Sequence, residues 1–191
     1  MKRAFLSVSD RTGIVELATG LQELGYEIVA NGATARTLKQ VELEIVEVPL
    51  VPGVSGTLEA KLRLLQPGLF GALLAEGGTT GESAAAGELG QDPLDLVAVN
   101  LHSMTDVLED ASLTQPEVLE YVDIGNGALL RAAARQFKRV IVLSDPADYP
   151  LTLESLREFG DINHDRRQAL AAKAFHYAAY YDSTIAQFLT E

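Results

Sequence analysis

Residues 122–135 read VDIGNGALLRAAAR: a carboxylate, Asp123, then a turn carrying Gly125 and Gly127, then an alanine-rich helical pattern ending in Arg135. A carboxylate in this position has two uses. It caps a helix by accepting hydrogen bonds from free backbone N–H groups, or it faces a bound group as an acid–base catalyst while a cation holds an anion nearby. The spacing lets Asp123 and Arg135 share one pocket if the glycine turn folds back. Two earlier turns have the composition an anion needs. Ser9-Asp10-Arg11-Thr12-Gly13 and Asn31-Gly32-Ala33-Thr34-Ala35-Arg36 each combine hydroxyls, backbone N–H groups at a helix start, and a cation. The same residues also serve as caps, Ser9 or Asp10 for one helix and Thr34 for the next. A further turn, Asn100-Leu101-His102-Ser103, brings a histidine, the side chain suited to moving protons near neutrality.

These turns need a frame, and the hydrophobic pattern supplies one. Strand-like runs occur at 4–8, 26–30, 44–48, 94–101 and 139–143. Helical spacing covers 13–24, stopped by Gly25, and then 34–41, 107–119, 129–137, 151–159 and 164–189. The segment 71–75 is short and apolar, and 76–92 is rich in Gly, Ser and Thr, as in a surface loop. Strands alternating with helices predict one α/β domain, a mostly parallel sheet with helices on both faces. Ligands in such folds bind beyond the carboxyl ends of the strands, where the polar turns lie.

Composition narrows the function. The chain has 191 residues, 47% of them hydrophobic, enough for one well-filled core. A formal net charge of −12 repels phosphate backbones and excludes nucleic acid as a partner. No apolar run approaches the roughly 18–20 residues of a membrane span, and the N-terminal MKRAFLSVSD lacks the apolar core of a signal peptide. The chain has no cysteine, so disulfides and Cys-ligated zinc are excluded, which fits a cytoplasmic location.

In order along the chain, LSVSDRTG (6–13), ANGATAR (30–36), DLVAVNL (95–101), VDIGNGALLRAAAR (122–135), VLSDPADY (142–149) and RRQALAAKAFHYAAYYDSTIAQFL (166–189) resemble the IMP cyclohydrolase domain of the bifunctional AICAR transformylase/IMP cyclohydrolase family. The resemblance implies a three-layer α/β fold of the methylglyoxal-synthase-like kind, and a single cyclohydrolase-like domain over 1–191 with the transformylase domain absent. It implies closure of the formylated imidazole ribotide FAICAR to IMP with loss of water, no metal or organic cofactor, a homodimer, and a separate AICAR transformylase as a source of substrate.

The family's residues carry over unevenly. Its phosphate turns match at Ser9, Arg11 (usually lysine), Gly32 and Thr34, with Thr12, Gly13, Asn31, Asn100 and Gly125 completing the implied nucleotide-binding set. The first two residues of its STGGTAR turn are here Ala30 and Asn31, and its second glycine is Ala33. Its RVKTLHP segment falls on Lys61–Pro67, which places Lys61 against the substrate and the catalytic lysine on Arg63. The tyrosine of its NLYPF falls on His102, its catalytic acid on Asp123, and a further lysine on Arg135. Arginine holds an anion but stays protonated. The substituted set of Asp123, His102, Arg63 and Arg135 therefore leaves two functions open: an active cyclohydrolase, or a purine-nucleotide-binding or regulatory module without turnover. The DIG–RAAA and SDPADY blocks argue against methylglyoxal synthase chemistry. His164 is expected at the start of the last helix as a surface or capping residue. His176, Tyr177, Tyr180 and Tyr181 are expected to pack or to form a dimer surface.

Overall fold

The apolar runs become a parallel sheet. The computed structural model describes residues 1–74 and 92–190. Among them the strands are β1 (Lys2–Ser7), β2 (Tyr26–Ala30), β3 (Val46–Glu47), β4 (Leu96–Val99) and β5 (Ile141–Leu143), ordered β3-β2-β1-β4-β5 with every neighbour parallel. Ala4, Phe5 and Leu6 of β1, and all of β4, are fully buried. This is the signature of central parallel strands covered on both faces.

The helices are α1 (Ile14–Glu23), α2 (Gly32–Gln40), α3 (Gly56–Leu62), α4 (Pro67–Leu74), α5 (Met104–Glu109), α6 (Gln115–Glu120), α7 (Ile124–Arg135), α8 (Tyr149–Phe159) and α9 (His164–Phe188). Single 3₁₀ turns lie at Arg63–Leu65 and Pro146–Asp148. From β1 the chain moves one way to β2, and from β4 the other way to β5. Right-handed crossovers then place α1 and α7 on opposite faces. Helix α1 packs against β2 and α8; α7 packs against β4, β5 and α9. The reversal of direction between β1 and β4 opens a crevice at their carboxyl ends.

Several elements depart from the sequence pattern for local reasons. The single helix expected over 107–119 is two, α5 and α6. Between them the Asp110 carboxylate accepts from the Ser112 N–H (3.0 Å) and hydroxyl (2.6 Å), and α6 begins where Glu117 accepts from the Thr114 N–H (2.8 Å) and hydroxyl (2.7 Å). The apolar 71–75 run is, through Leu74, the end of α4. Helix α7 starts at Ile124, so Gly125 and Gly127 lie inside it and form no turn. Apart from Asp92, the segment 76–92 lies outside the described residues. His164 opens α9 in an exposed position, with Asn163 as the cap: its carboxamide oxygen accepts from the Arg166 N–H at 2.8 Å.

Candidate functional site

The ends of β1, β2 and β4 are tied together by polar side chains. The Thr34 hydroxyl accepts from the Val8 N–H (2.8 Å) and donates to the Val8 carbonyl (3.1 Å), pinning the first turn of α2 to the end of β1. The Asn100 carboxamide oxygen accepts from the N–H groups of Ser9 (2.6 Å) and Asp10 (2.9 Å), and its nitrogen donates to the Asp10 carbonyl (2.9 Å). Both side chains are almost wholly buried, so the polar atoms of Thr34 and Asn100 shape the crevice. Ser9 Oγ lies 3.3 Å from His102 Nδ1, and the His102 ring stacks on Tyr121 with centroids 5.7 Å apart. The Asp10 carboxylate accepts from the Thr12 N–H at 2.9 Å. The bonds to Thr12 hold its pKa below the ordinary aspartate value. Gly13 caps α1 in the left-handed region at φ 67°, without a side-chain bond. Arg11 reaches Thr37 Oγ1 at 3.3 Å.

Two cavities flank this knot. One, of about 390 Å³, is lined by Asn31, Lys61, Leu64, Glu120, Asp123, Gly125 and Asn126, among others. Asp123 caps α7. Its Oδ1 accepts from the Asn126 N–H (3.0 Å) and its Oδ2 from the Asn126 side-chain amide (2.8 Å). The carboxamide oxygens of Asn31 and Asn126 are desolvated and have no hydrogen-bond partner. Asn31 precedes α2 without a side-chain bond to it, so the first N–H groups of that helix remain open to an anion. Lys61 pairs with Glu120 across the rim.

The other cavity, of about 360 Å³, lies toward β5. Asp10, Asn100, His102, Asp145, Lys173 and Tyr177 are among its lining residues. Lys173 Nζ sits 2.6 Å from Asp145 and 2.7 Å from Asp148, and Arg166 reaches Asp148 at 3.0 Å. Burial alone would lower the Lys173 pKa, but the hydrogen bonds to the two carboxylates outweigh it and hold it above the ordinary lysine value. The bond from Lys173 and the Ala147 N–H hold Asp145 below the ordinary aspartate value.

Residues 13–149 match the model of the MGS-like domain, and residues 133–191 match that of the AICARFT/IMPCHase bienzyme. The chain belongs to the MGS-like domain family. It resembles the IMP cyclohydrolase-type portion of the bienzyme along its whole length. The bifunctional purine biosynthesis protein PurH of Bacillus cereus (strain Q1) and that of Bacillus thuringiensis (strain Al Hakam) are each 36% identical over 190 residues. This match covers all of the chain and 37% of those relatives. The crystal structure of ForH superimposes with a TM-score of 0.87 at 32% identity, covering 100% of this chain and 97% of that one.

Within this MGS-like frame, the residues singled out in sequence divide into groups. Asn31, Lys61, Asp123 and Gly125 share the first cavity, and His102 and Asn100 line the second. Ser9, Gly32 and Thr34 stand at the strand ends between α1 and α2, and Thr12 and Gly13 open α1. Arg63 Nε donates to the Glu59 carboxylate at 2.9 Å, its Nη2 pairs with the same group, and Arg63 lines neither cavity. Arg135 occupies the last turn of α7, three turns from Asp123. At about 1.5 Å per residue this is roughly 18 Å along the axis. The two therefore do not share a pocket, because the glycines continue the helix. Tyr177 and Tyr181, expected only to pack or to form a dimer surface, also bond the Leu101 and Asp123 N–H groups. Asp145 and Lys173 are additions: their signal is the carboxylate pair of SDPADY after a strand, but its pairing with a lysine on α9 is a tertiary fact.

Proposed function

We propose that the protein is an IMP cyclohydrolase, closing FAICAR to IMP in purine synthesis. The observation that carries this reading is the first cavity, where Asp123 shares the lining with Lys61 and with Asn31 at the open N-terminus of α2. An anion fits the α2 end, and in this reading Asp123 takes a proton. In the reaction the carboxamide nitrogen bonds to the formyl carbon and gives up a proton. The formyl oxygen takes up a proton to become a hydroxyl, which takes a second and leaves as water when the carbon–oxygen bond breaks, while the nitrogen that carried the formyl group gives up its proton and forms the new ring's carbon–nitrogen double bond. Asp123 receives the proton from nitrogen and His102 delivers one to the departing oxygen. The phosphate lies on the turns at Ser9–Gly13 and Gly32–Thr34, near Arg11, and no cofactor takes part. Mixing purified protein with FAICAR and following the absorbance of IMP tests this directly; no IMP formation would overturn it.

A second reading, a purine-nucleotide-binding module without turnover, is favoured by one observation. Arg63 is engaged by Glu59 and Arg135 lies at the far end of α7, so neither expected cation reaches Asp123. Calorimetric IMP binding without turnover selects this reading, whereas no binding at millimolar nucleotide removes both. We also propose a homodimer. The support is the exposed aromatic surface of α9, where Phe175 and Tyr180 face outward. A monomer mass in sedimentation at micromolar protein would overturn it. By the same family reading the protein acts in the cytoplasm.

A further inference from the structure

Resting on the reading of His102 and Asp123 as reactive groups, we propose that Tyr177 and Tyr181 are positioning residues: one face of α9 holds the His102 loop and the Asp123 loop in fixed relation. The two tyrosines are four apart on α9, so their side chains stack on one face of the helix. The Tyr177 hydroxyl accepts from the Leu101 N–H at 3.0 Å and donates to the Leu101 carbonyl at 3.4 Å, and Leu101 immediately precedes His102. The Tyr181 hydroxyl accepts from the N–H of Asp123 itself at 2.9 Å. As the cap residue, Asp123 has no intrahelical acceptor for its N–H. The phenol therefore fixes the backbone whose carboxylate lines the cavity.

The α9 face between these contacts is anchored. Ala174 and Ala178 are almost fully buried, and the helix packs along α7 and β5. Burial raises the pKa of both phenols, so the hydroxyls stay protonated across the working range. No side-chain contact between His102 and Asp123 is needed to hold their separation; a rigid third element does it. A small shift of either loop moves one group relative to the other. Errors of about 1 Å in such geometry are known to cost on the order of 10²-fold in rate.

The test uses Tyr177→Phe and Tyr181→Phe in the full chain, which remove the hydroxyls and keep the rings. Backbone amide exchange at Leu101 and Asp123 and the NMR chemical shifts of the His102 ring are read without ligand; kcat and KM are read with FAICAR. The expected result is exchange faster by about tenfold or more at the amide each tyrosine serves. Changed His102 ring chemical shifts are expected in Tyr177→Phe. In both variants kcat falls by about tenfold or more while KM stays near the parent's. Tyr180→Phe, on the exposed side of the same helix, should leave both amides as they are. Parent-like exchange at Leu101 and Asp123, or faster exchange with parent-like kcat, overturns the proposal. If the parent itself shows no turnover, the cyclohydrolase reading fails. The proposal is then decided by the exchange rates alone.

Discussion

Asp123 is a cap by geometry and a cavity residue by position, and one substitution separates the two roles. Asparagine caps a helix nearly as well as aspartate, so Asp123→Asn should keep stability within about 0.5 kcal/mol, measured by denaturant unfolding. If Asp123 also moves a proton, turnover of FAICAR should fall by about 10²-fold or more with IMP affinity unchanged in calorimetry. His102→Phe is the companion, because it removes the proton carrier beside Ser9. Parent-like rates in both variants would displace the chemistry from Asp123 and His102. Thr34 makes the opposite case. Its hydroxyl is spent on the Val8 backbone, so Thr34→Val should cost about 1–3 kcal/mol of stability by leaving a buried N–H unpaired. Asp123 was legible because capping and catalysis both ask for an acid ahead of a helix. The backbone use of Thr34 and Asn100 was not, because their partners lie on other strands. A Ser, Thr or Asn reads the same in sequence whether it faces a phosphate or a neighbouring peptide.

Gly125 sits where α7 crosses the 3₁₀ turn after α3. A methyl group on it would lie 3.0 Å from Leu64 Cβ, tighter than nine in ten packed contacts, so Leu64 would have to give way. Glycine within a helix normally costs stability; here it permits the close approach of the two elements. Gly125→Ala should therefore destabilise by about 1–3 kcal/mol despite alanine's better helix propensity, read as a lower midpoint in denaturant. A midpoint equal to or above the parent's would mean that the 3₁₀ turn yields freely. The same glycine explains what pattern reading missed. Two glycines after an acid read as a turn, and only the packing partner shows why a helix starts there instead. Strands such as β2, at 26–30, were legible to the residue because a buried parallel strand is a continuous apolar run. The split of 107–119 into α5 and α6 depended on side-chain bonds at Asp110 and Thr114, which compete with a continuous helix in ways that hydrophobic spacing does not record.

For the molecule as a whole, net charge and buried phenols set the pH range of stability. Burial raises the pKa of Tyr26 to about 12, and it also raises those of Tyr149, Tyr177 and Tyr181. A phenol held above its ordinary value of 10.0 stays protonated in the folded chain when the unfolded phenol ionises. Its contribution is complete below pH 10.0 and is lost as pH rises toward 12. Stability should therefore fall with pH over that window, and Tyr26→Phe should make the slope shallower, as followed by denaturant melts in an alkaline series. A parent and variant with identical slopes would remove Tyr26 from the account. Among the described residues, no helix is long and apolar enough to cross a membrane. The two edge strands are short, β3 with 2 residues and β5 with 3, which leaves little bare edge for another chain to extend.

The pairing of β1 with β4 bears on how the chain is made. Leu6 meets Ala30 early in synthesis, but its other neighbour, Ala98, leaves the ribosome only when half the protein has been translated. Until then β1, whose Ala4, Phe5 and Leu6 are fully buried in the folded protein, has one open edge. Closing so long a loop is slow, so the nascent chain passes through a stage that holdase chaperones should recognise. Pulse-labelled exchange during refolding should show β1–β2 amides protected before those of β4 and β5. Simultaneous protection would mean that the sheet closes in one step.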